Sequence, residues 1–142
     1  MSQAHDQDKQ GLATYMIALV REKGVSDYVG DGLNRWAAVH RLDAAPLYRL
    51  ALEKGAIGAR YHAVTEENVS VRDIAEAIGQ SLQIPIVALS PEEATNHFGW
   101  LGFPVSMDAP ASSALTRQRL RWHPTEKSGF IADLKHSNLF NT

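Results

Sequence analysis

Apolar residues recur at helical spacing in two long segments of the chain. One face of the first segment, between Gly11 and Gly24, consists of Leu12, Tyr15, Met16, Leu19 and Val20. This spacing predicts an amphipathic helix. A second helix is predicted from Ser70, a good N-cap, along Ile74, Ile78 and Leu82. Gly79 lies inside that helix and indicates close packing there, since glycine costs about 1 kcal/mol in a helix relative to alanine.

The stretch from Val39 to Val64 carries the strongest local pattern. Asp43 is suited to be an N-cap, because its carboxylate can accept a hydrogen bond from an unpaired amide of the first helical turn. Leucines at helical spacing follow it up to Gly55, and the segment Arg60–Val64 is rich in strand-forming residues. The stretch therefore predicts a strand–helix–strand crossover unit with a final strand over Arg60–Val64.

Shorter patterns complete an α/β fold with about four to five helices and short strands. Extended segments over 25–29 and 34–40, separated by Gly30-Asp31-Gly32, predict a hairpin-like excursion. The pattern predicts an edge strand over 84–89, a helix that starts at Ser90, and further helices over 114–120 and 130–134. Residues 1–10 are polar and predict a flexible arm, which leaves 11–142 as a single α/β domain.

Composition narrows the classes of function. The chain has 142 residues, a net charge of −2 and no cysteine. Near-neutral charge without a basic stripe predicts neither nucleic-acid nor anionic-membrane partners. The missing cysteines exclude disulfides, thiolate nucleophiles and zinc–cysteine sites. No apolar run approaches the roughly 20 residues of a membrane helix, and the polar N-terminus lacks the apolar core of a secretory signal. These features predict a cytoplasmic protein.

Few residues offer chemistry by pattern alone. Gly30-Asp31-Gly32 lacks the third glycine of a dinucleotide fingerprint and precedes an extended segment, so a turn is favoured. The six histidines form no metal-ligand spacing, and no metal site is expected. His40 and Asp43 could form a catalytic pair, although a capping aspartate and a sheet-facing histidine is the favoured interpretation. Trp36 beside Arg35, on a turn expected to be exposed, could line a ligand pocket or cover a core edge.

The order of these motifs resembles the C-terminal half of an extended short-chain dehydrogenase/reductase of the NAD(P)-dependent epimerase/dehydratase family. The resemblance runs from about Gly11 to Leu134. It rests on Gly-Asp-Gly at 30–32, Val39-His40-x-x-Asp43-Ala44, Gly58-Ala59-Arg60-Tyr61-His62-Ala63, Ser70-x-x-Asp73-Ile74-Ala75 and residues 116–124. The last segment is similar to the family's closing Leu-Gly-Trp-x-Pro signature, with Arg121 in place of the glycine.

The resemblance implies a partial Rossmann-like unit that corresponds to the family's substrate-binding part. Its excursion faces the substrate in the family, which makes Asn34, Arg35, Trp36 and His40 the candidate substrate-binding residues. Nucleotide-sugar members carry a substrate-contacting arginine near position 36, where this chain has tryptophan, so that substrate class is not carried over.

The family's catalytic and cofactor-binding features are missing from this sequence. The residues four positions after the tyrosines are Leu19, Gly32, Leu52 and Thr65, so there is no Tyr-x-x-x-Lys pair. No glycine-rich loop precedes a helix either. The family implies NAD or NADP, but we expect this chain alone to bind no cofactor, to contain no catalytic residue and to be inactive.

A crossover unit without the rest of its sheet would leave a strand edge uncovered. The expected partner is therefore a second copy of the chain or a cofactor-binding half, with a small-molecule ligand. The alternative is a non-enzymatic binding or interaction module that self-associates. A third hypothesis, an unrelated enzyme that uses His40 and Asp43, is less favoured.

Overall fold

The computed structural model describes residues 2–8, 10–109, 111–126 and 129–141. Its strands are β1 (Ser2–His5), β2 (Ser26–Val29), β3 (Arg35–His40), β4 (Glu66–Ser70) and β5 (Ile86–Leu89). Its helices are α1 (Ala13–Lys23), α2 (Arg41–Lys54), α3 (Val71–Leu82), α4 (Pro91–Phe98), α5 (Gly102–Ser106), α6 (Ala114–Leu120) and α7 (Phe130–Lys135), with 3₁₀ turns over Gly99–Leu101 and Asn138–Asn141. Among the described residues, no helix is both long and apolar enough to cross a bilayer.

The strands form two small sheets. β3 is the central strand of the first, parallel to β1 and antiparallel to β4. β2 and β5 form a separate parallel pair. The predicted α/β class is confirmed. The predicted hairpin-like excursion is wrong, because β2 and β3 belong to different sheets and each has a partner distant in sequence.

The N-terminal residues form a strand instead of the predicted flexible arm. Ser2–His5 pairs with β3 from Ser2↔Ala37 to His5↔His40. The polar side chains that suggested an arm find distant partners: Gln3 Oε1 accepts the backbone N–H of Leu12, for example. Such pairing is invisible to local patterning. The remaining arm positions Met1 and Lys9 lie outside the described residues.

Helix α2 starts two residues before the predicted N-cap. The N-cap is His40, whose Nδ1 accepts a hydrogen bond from the backbone N–H of Leu42 at 3.1 Å. Asp43 is the third helical residue and is buried. The prediction of Asp43 as N-cap is therefore wrong, because a histidine nitrogen takes over the acceptor role that a carboxylate usually fills.

Arg60–Val64 does not form the predicted strand, which is displaced to Glu66–Ser70. In the described part of the chain, no strand pairs with this segment through its backbone, and the backbone N–H groups of Tyr61 and Ala63 have no hydrogen-bond partner. Its strand-forming composition therefore has nothing to pair with, since a strand exists only in a sheet.

The main core lies between α1 and α3 and the elements that cover them. Its largest fully buried members include Met16, Ile74, Ile78, Phe130 and Leu134. The predicted caps of α3 and α4 are confirmed: Ser70 and Ser90 accept the backbone N–H groups of Asp73 and Glu93. These local signals were readable because their partners are three residues apart.

Gly79 packs α3 tightly against the segment that leads into β5. A Cβ at this position would lie 2.5 Å from Ile86 Cγ1 and 3.1 Å from the backbone oxygen of Ile84. The predicted close packing at Gly79 is therefore confirmed.

We expect Gly79→Ala to lower the free energy of unfolding by about 1 kcal/mol or more, because overpacking outweighs the gain in helix propensity. The measurement is denaturant unfolding followed by circular dichroism. Gln80→Ala, at the exposed neighbouring position, is the matched control and should stay within about 0.5 kcal/mol of the wild type. A Gly79→Ala variant as stable as the wild type would contradict the packing argument.

Candidate functional site

The carboxyl ends of the parallel strands β1 and β3 bring two histidines together. His5 and His40 are the last residues of these strands and face each other in register. Their ring centroids lie 5.3 Å apart in an edge-to-face arrangement. In open α/β sheets, ligands bind outside the carboxyl ends of the strands. The end of the sheet where β1 and β3 terminate is therefore the candidate functional site.

Asp133, from α7, joins the two histidines. Its Oδ2 lies 2.6 Å from His5 Nδ1 and 3.6 Å from His40 Nε2. All three residues are buried. His40 Nδ1 accepts the Leu42 N–H, so the proton of a neutral His40 is assigned to Nε2, which faces Asp133.

One imidazole nitrogen of His5 is hydrogen-bonded and the other is buried without a partner. Nδ1–H donates to Asp133, whereas the fully buried Nε2 has no hydrogen-bond partner among the described residues. The nearest acid to Nε2 is Glu66, with Oε1 at 3.9 Å. Burial lowers the pKa of His5 below the ordinary histidine value, although the hydrogen bond to Asp133 and the negative charges of Asp133 and Glu66 oppose this shift. His5 is therefore neutral near pH 7.

Two further carboxylates hold backbone over this site. Asp43 accepts the backbone N–H groups of Thr125 and Glu126, the closer at 2.7 Å. Glu66 accepts the N–H of Phe130 at the start of α7, at 2.6 Å. These bonds fix the segments that carry Glu126 and Asp133, and the Glu126 Oε1 lies 4.0 Å from His40 Nδ1. Across the described ranges, no group of three or more potential ligating side chains is placed to hold a metal ion.

Two predicted site residues attach the 104–107 segment to the start of β3. Asn34 Nδ2 donates to the backbone oxygens of Val105 and Met107, at 2.8 and 3.1 Å. Trp36 is 3% exposed, and its Nε1–H donates to the oxygen of Pro104 at 3.0 Å. The expected exposed turn is therefore wrong for Trp36, which belongs to the core.

Arg35 holds the next residue of the same segment. Its guanidinium forms a two-point pair with Asp108, at 3.0 Å from Nε and 2.9 Å from Nη2, and its backbone N–H adds a third bond. The Arg35 hydrogen bonds hold the pKa of the Asp108 carboxyl below its ordinary value. Arg35, Asn34 and Trp36 thus lie together, whereas His40 lies at the opposite end of β3.

Sequence patterns had pointed to His40 but not to His5, Asp133 or Glu66. These residues lie in the apparent arm, in a short C-terminal helix and in a segment with no strand pattern. The available signal was the position of His5 and His40 at the ends of two short extended runs. The assignment of Asn34, Arg35, Trp36 and His40 to substrate binding remains a prediction.

A groove also lies beside the unpaired segment. This sheet-edge groove encloses about 520 Å³ and runs between the start of β1, one side of α2 and residues 61–64. It is lined by Ser2, Leu47, Tyr48, Ala51, Tyr61, His62, Ala63, Val64 and Ala111.

Comparison with known proteins finds relatives of greater length. An uncharacterized protein of Schizosaccharomyces pombe is 47% identical over 136 residues, and one of Saccharomyces cerevisiae is 40% identical over 137 residues. Each alignment covers 96% of this chain and 46% of the relative, so the chain spans about half the length of the curated relatives it matches. No family model matches the chain.

The fold is similar to part of a solved enzyme. The crystal structure of the dTDP-glucose 4,6-dehydratase DesIV from Streptomyces venezuelae, solved with NAD bound, superposes with a TM-score of 0.61 at 17% identity. The match covers 89% of this chain and 36% of the dehydratase. The chain therefore shares an α/β, Rossmann-like fold with a part of that dehydratase.

We expect the free energy of unfolding to fall as the pH is lowered below about 6.5, the ordinary histidine value. The unfolded chain protonates His5 there while the folded chain keeps it neutral, so the unfolded state binds more protons. Denaturant unfolding from about pH 8 to about pH 5 measures this slope. His5→Asn, which keeps a donor toward Asp133, should reduce it, whereas His123→Asn at an exposed position should leave it unchanged. An equal slope in wild type and His5→Asn would contradict the role of His5.

Proposed function

We propose that this chain is the substrate-binding part of an NAD(P)-dependent epimerase/dehydratase-like protein and acts only with a separate cofactor-binding half. By itself it catalyses no reaction. Support comes from the fold, which matches part of an NAD-bound dehydratase. Further support comes from the two fungal relatives, which are about twice as long as the segment they share with this chain.

The observation that carries the proposal is the combination of the sheet-edge groove with the unpaired segment beside it. The N–H groups of Tyr61 and Ala63 and the backbone oxygens of Arg60 and Tyr61 have no partner within the described ranges. The groove walls are apolar, with Leu47 and Val64 at its base. A strand from a partner can hydrogen-bond to these groups while its side chains fill the groove, as in recognition by β-strand addition.

In this proposal, the cluster of His5, His40 and Asp133 lies on the side of the chain that faces the substrate. His5, His40 and Asp133 offer hydrogen bonds at the carboxyl ends of two parallel strands. Arg35 and Asn34, with Trp36, shape the opposite end of β3 by holding the 104–108 segment. The acid and base of the family reaction, and NAD or NADP itself, would come from the partner half.

The direct test mixes this chain with the part of the Schizosaccharomyces pombe relative that it does not match. We expect the chain alone not to bind NADH, and the mixture to form a one-to-one complex that does. Calorimetric titration with NADH and sedimentation measure the two steps. Stoichiometric NADH binding by the chain alone would overturn the proposal.

A proline pair sharpens this test. Ala63→Pro removes one of the unpaired N–H groups and should weaken complex formation by about tenfold or more. Ile57→Pro is the matched control, because Ile57 is fully exposed and lies outside the groove. Equal complex formation by both variants would show that the partner binds elsewhere.

A second candidate function is a self-associating interaction module. It is favoured by two exposed apolar side chains of α2, Tyr48 and Leu52, which are 65% and 89% exposed. If two copies bury this surface against each other, Leu52→Glu should lower the association constant by about tenfold or more, because a charge would be buried. Sedimentation equilibrium measures the constant, with Glu53→Gln as the control. A chain that remains monomeric would exclude this function.

A further inference from the structure

A second histidine–aspartate pair lies outside the His5–His40–Asp133 cluster, with its aspartate in the two-stranded sheet. Asp27, in β2, is buried, and its Oδ2 lies 2.6 Å from Nε2 of His97, in α4. Neither carboxylate oxygen of Asp27 has a hydrogen-bond partner of good geometry among the described residues, so the 2.6 Å approach of His97 is a close polar contact and not an aligned hydrogen bond. Burial raises the pKa of Asp27, the nearby Glu93 adds to this shift, and the His97 contact opposes it. The His97 ring is thus placed with its Nε2 side against a buried carboxylate.

The other side of His97 is open to a groove. His97 Nδ1 has no hydrogen-bond partner among the described residues, yet it is absent from the fully buried polar atoms that lack one. The groove encloses about 370 Å³ between α1 and the segment from α4 to the following 3₁₀ turn. We name it the α1–α4 groove; it is lined by Tyr15, Ala18, Leu19, Glu22, Lys23, Asn96, His97, Phe98, Gly99, Trp100 and Leu101.

Two exposed aromatic rings form one side of this groove. Tyr15 and Trp100 are 55% and 64% exposed, and their rings meet edge-to-face at 5.2 Å. Exposed aromatic rings in a concave site offer a stacking surface for another ring. The His97 imidazole and these two aromatic rings therefore line the same groove.

We propose that the α1–α4 groove binds a small neutral phenol. The ring packs against Tyr15 and Trp100, and the hydroxyl donates a hydrogen bond to His97 Nδ1. Asp27 acts as a positioning residue, because its carboxylate lies 2.6 Å from His97 Nε2 and favours a proton there, which leaves the lone pair on Nδ1. This site is independent of the proposed function, since no residue of the α1–α4 groove belongs to the His5–His40–Asp133 cluster or lines the sheet-edge groove.

The charges of the groove favour a neutral ligand over an anion. Lys23 and Glu22 both line it, so their charges offset each other. The buried Asp27 carboxylate behind His97 then leaves the polar end with a negative charge, which opposes an aromatic carboxylate and favours a hydroxyl donor.

The test compares phenol with anisole, its methyl ether, which has a similar ring but no hydroxyl proton. Trp100 is the exposed tryptophan, while Trp36 and Trp122 are buried at 3% and 2% exposure. Phenol should therefore change the fluorescence of Trp100, and Trp100→Phe should abolish the change. We expect phenol to bind about tenfold more tightly than anisole, the typical effect of one hydrogen bond to a strong acceptor.

Variants separate the hydrogen bond from simple stacking. The double variant Asp27→Asn, His97→Phe leaves no unpaired buried charge and should remove the preference for phenol while anisole still binds. Asp27→Asn alone should reduce that preference, because the ring loses its orientation. Phe103→Ala, an exposed aromatic residue outside the groove, is the matched control and should change neither affinity.

The outcomes decide in both directions. A preference for phenol that disappears in the double variant supports the site. Equal binding of phenol and anisole to the wild type overturns it, as does a fluorescence change that persists in Trp100→Phe. These two measurements use only folded wild type and an exposed-site variant, so they decide the question even if the double variant does not fold.

Discussion

The pairing of β3 on both of its edges is the constraint on which the rest of the structure depends. Five of its six residues are buried, and its neighbours come from opposite directions of the sequence: β1 from the N-terminus and β4 from beyond α2. A strand paired on both sides cannot shift by one residue without turning its buried side chains toward solvent. The register of β3 therefore fixes what lies at each end. At one end Arg35 forms an ion pair with Asp108. At the other end His40 caps α2 and contacts His5 and Asp133.

The two polar clusters around this framework differ in what they leave open. The cluster at the sheet edge is enclosed: Asp133 lies between two imidazoles, and the neighbouring carboxylates of Asp43 and Glu66 are occupied with backbone N–H groups. The pair of Asp27 and His97 is enclosed on the acid side only. Buried carboxylates need such partners, because an ionised group without one is costly inside a protein. His97 contacts the Asp27 carboxylate through one imidazole nitrogen and lines a groove, so its other nitrogen can still hydrogen-bond to a ligand.

Local signals predicted the fold well, whereas contacts between distant segments escaped prediction. Helices α1 and α3, the serine caps and the close packing at Gly79 follow from residues three to five positions apart. The strand at Ser2–His5 and the role of Asp43 follow from partners dozens of residues away, so a single sequence gives no period from which to infer them. Arg60–Val64 shows the reverse case. Its strand-forming composition is real, but the pairing that would express it requires backbone that the described chain does not supply. Of the candidate site, only His40 and Asp43 were within reach of pattern analysis.

The hydrogen bond between His5 and Asp133 has a consequence for how the chain folds. It spans 128 residues, and Asn138 and Asp8 pair over a similar distance. Closing loops of this length costs entropy before the contacts stabilise the chain. These contacts are therefore expected to form late and to slow folding. During synthesis on a ribosome, β1 emerges before its partners β3 and α7 and must wait for both. The helices from α1 to α4 can assemble in the meantime, which leaves the first strand as one of the last elements to join the native structure.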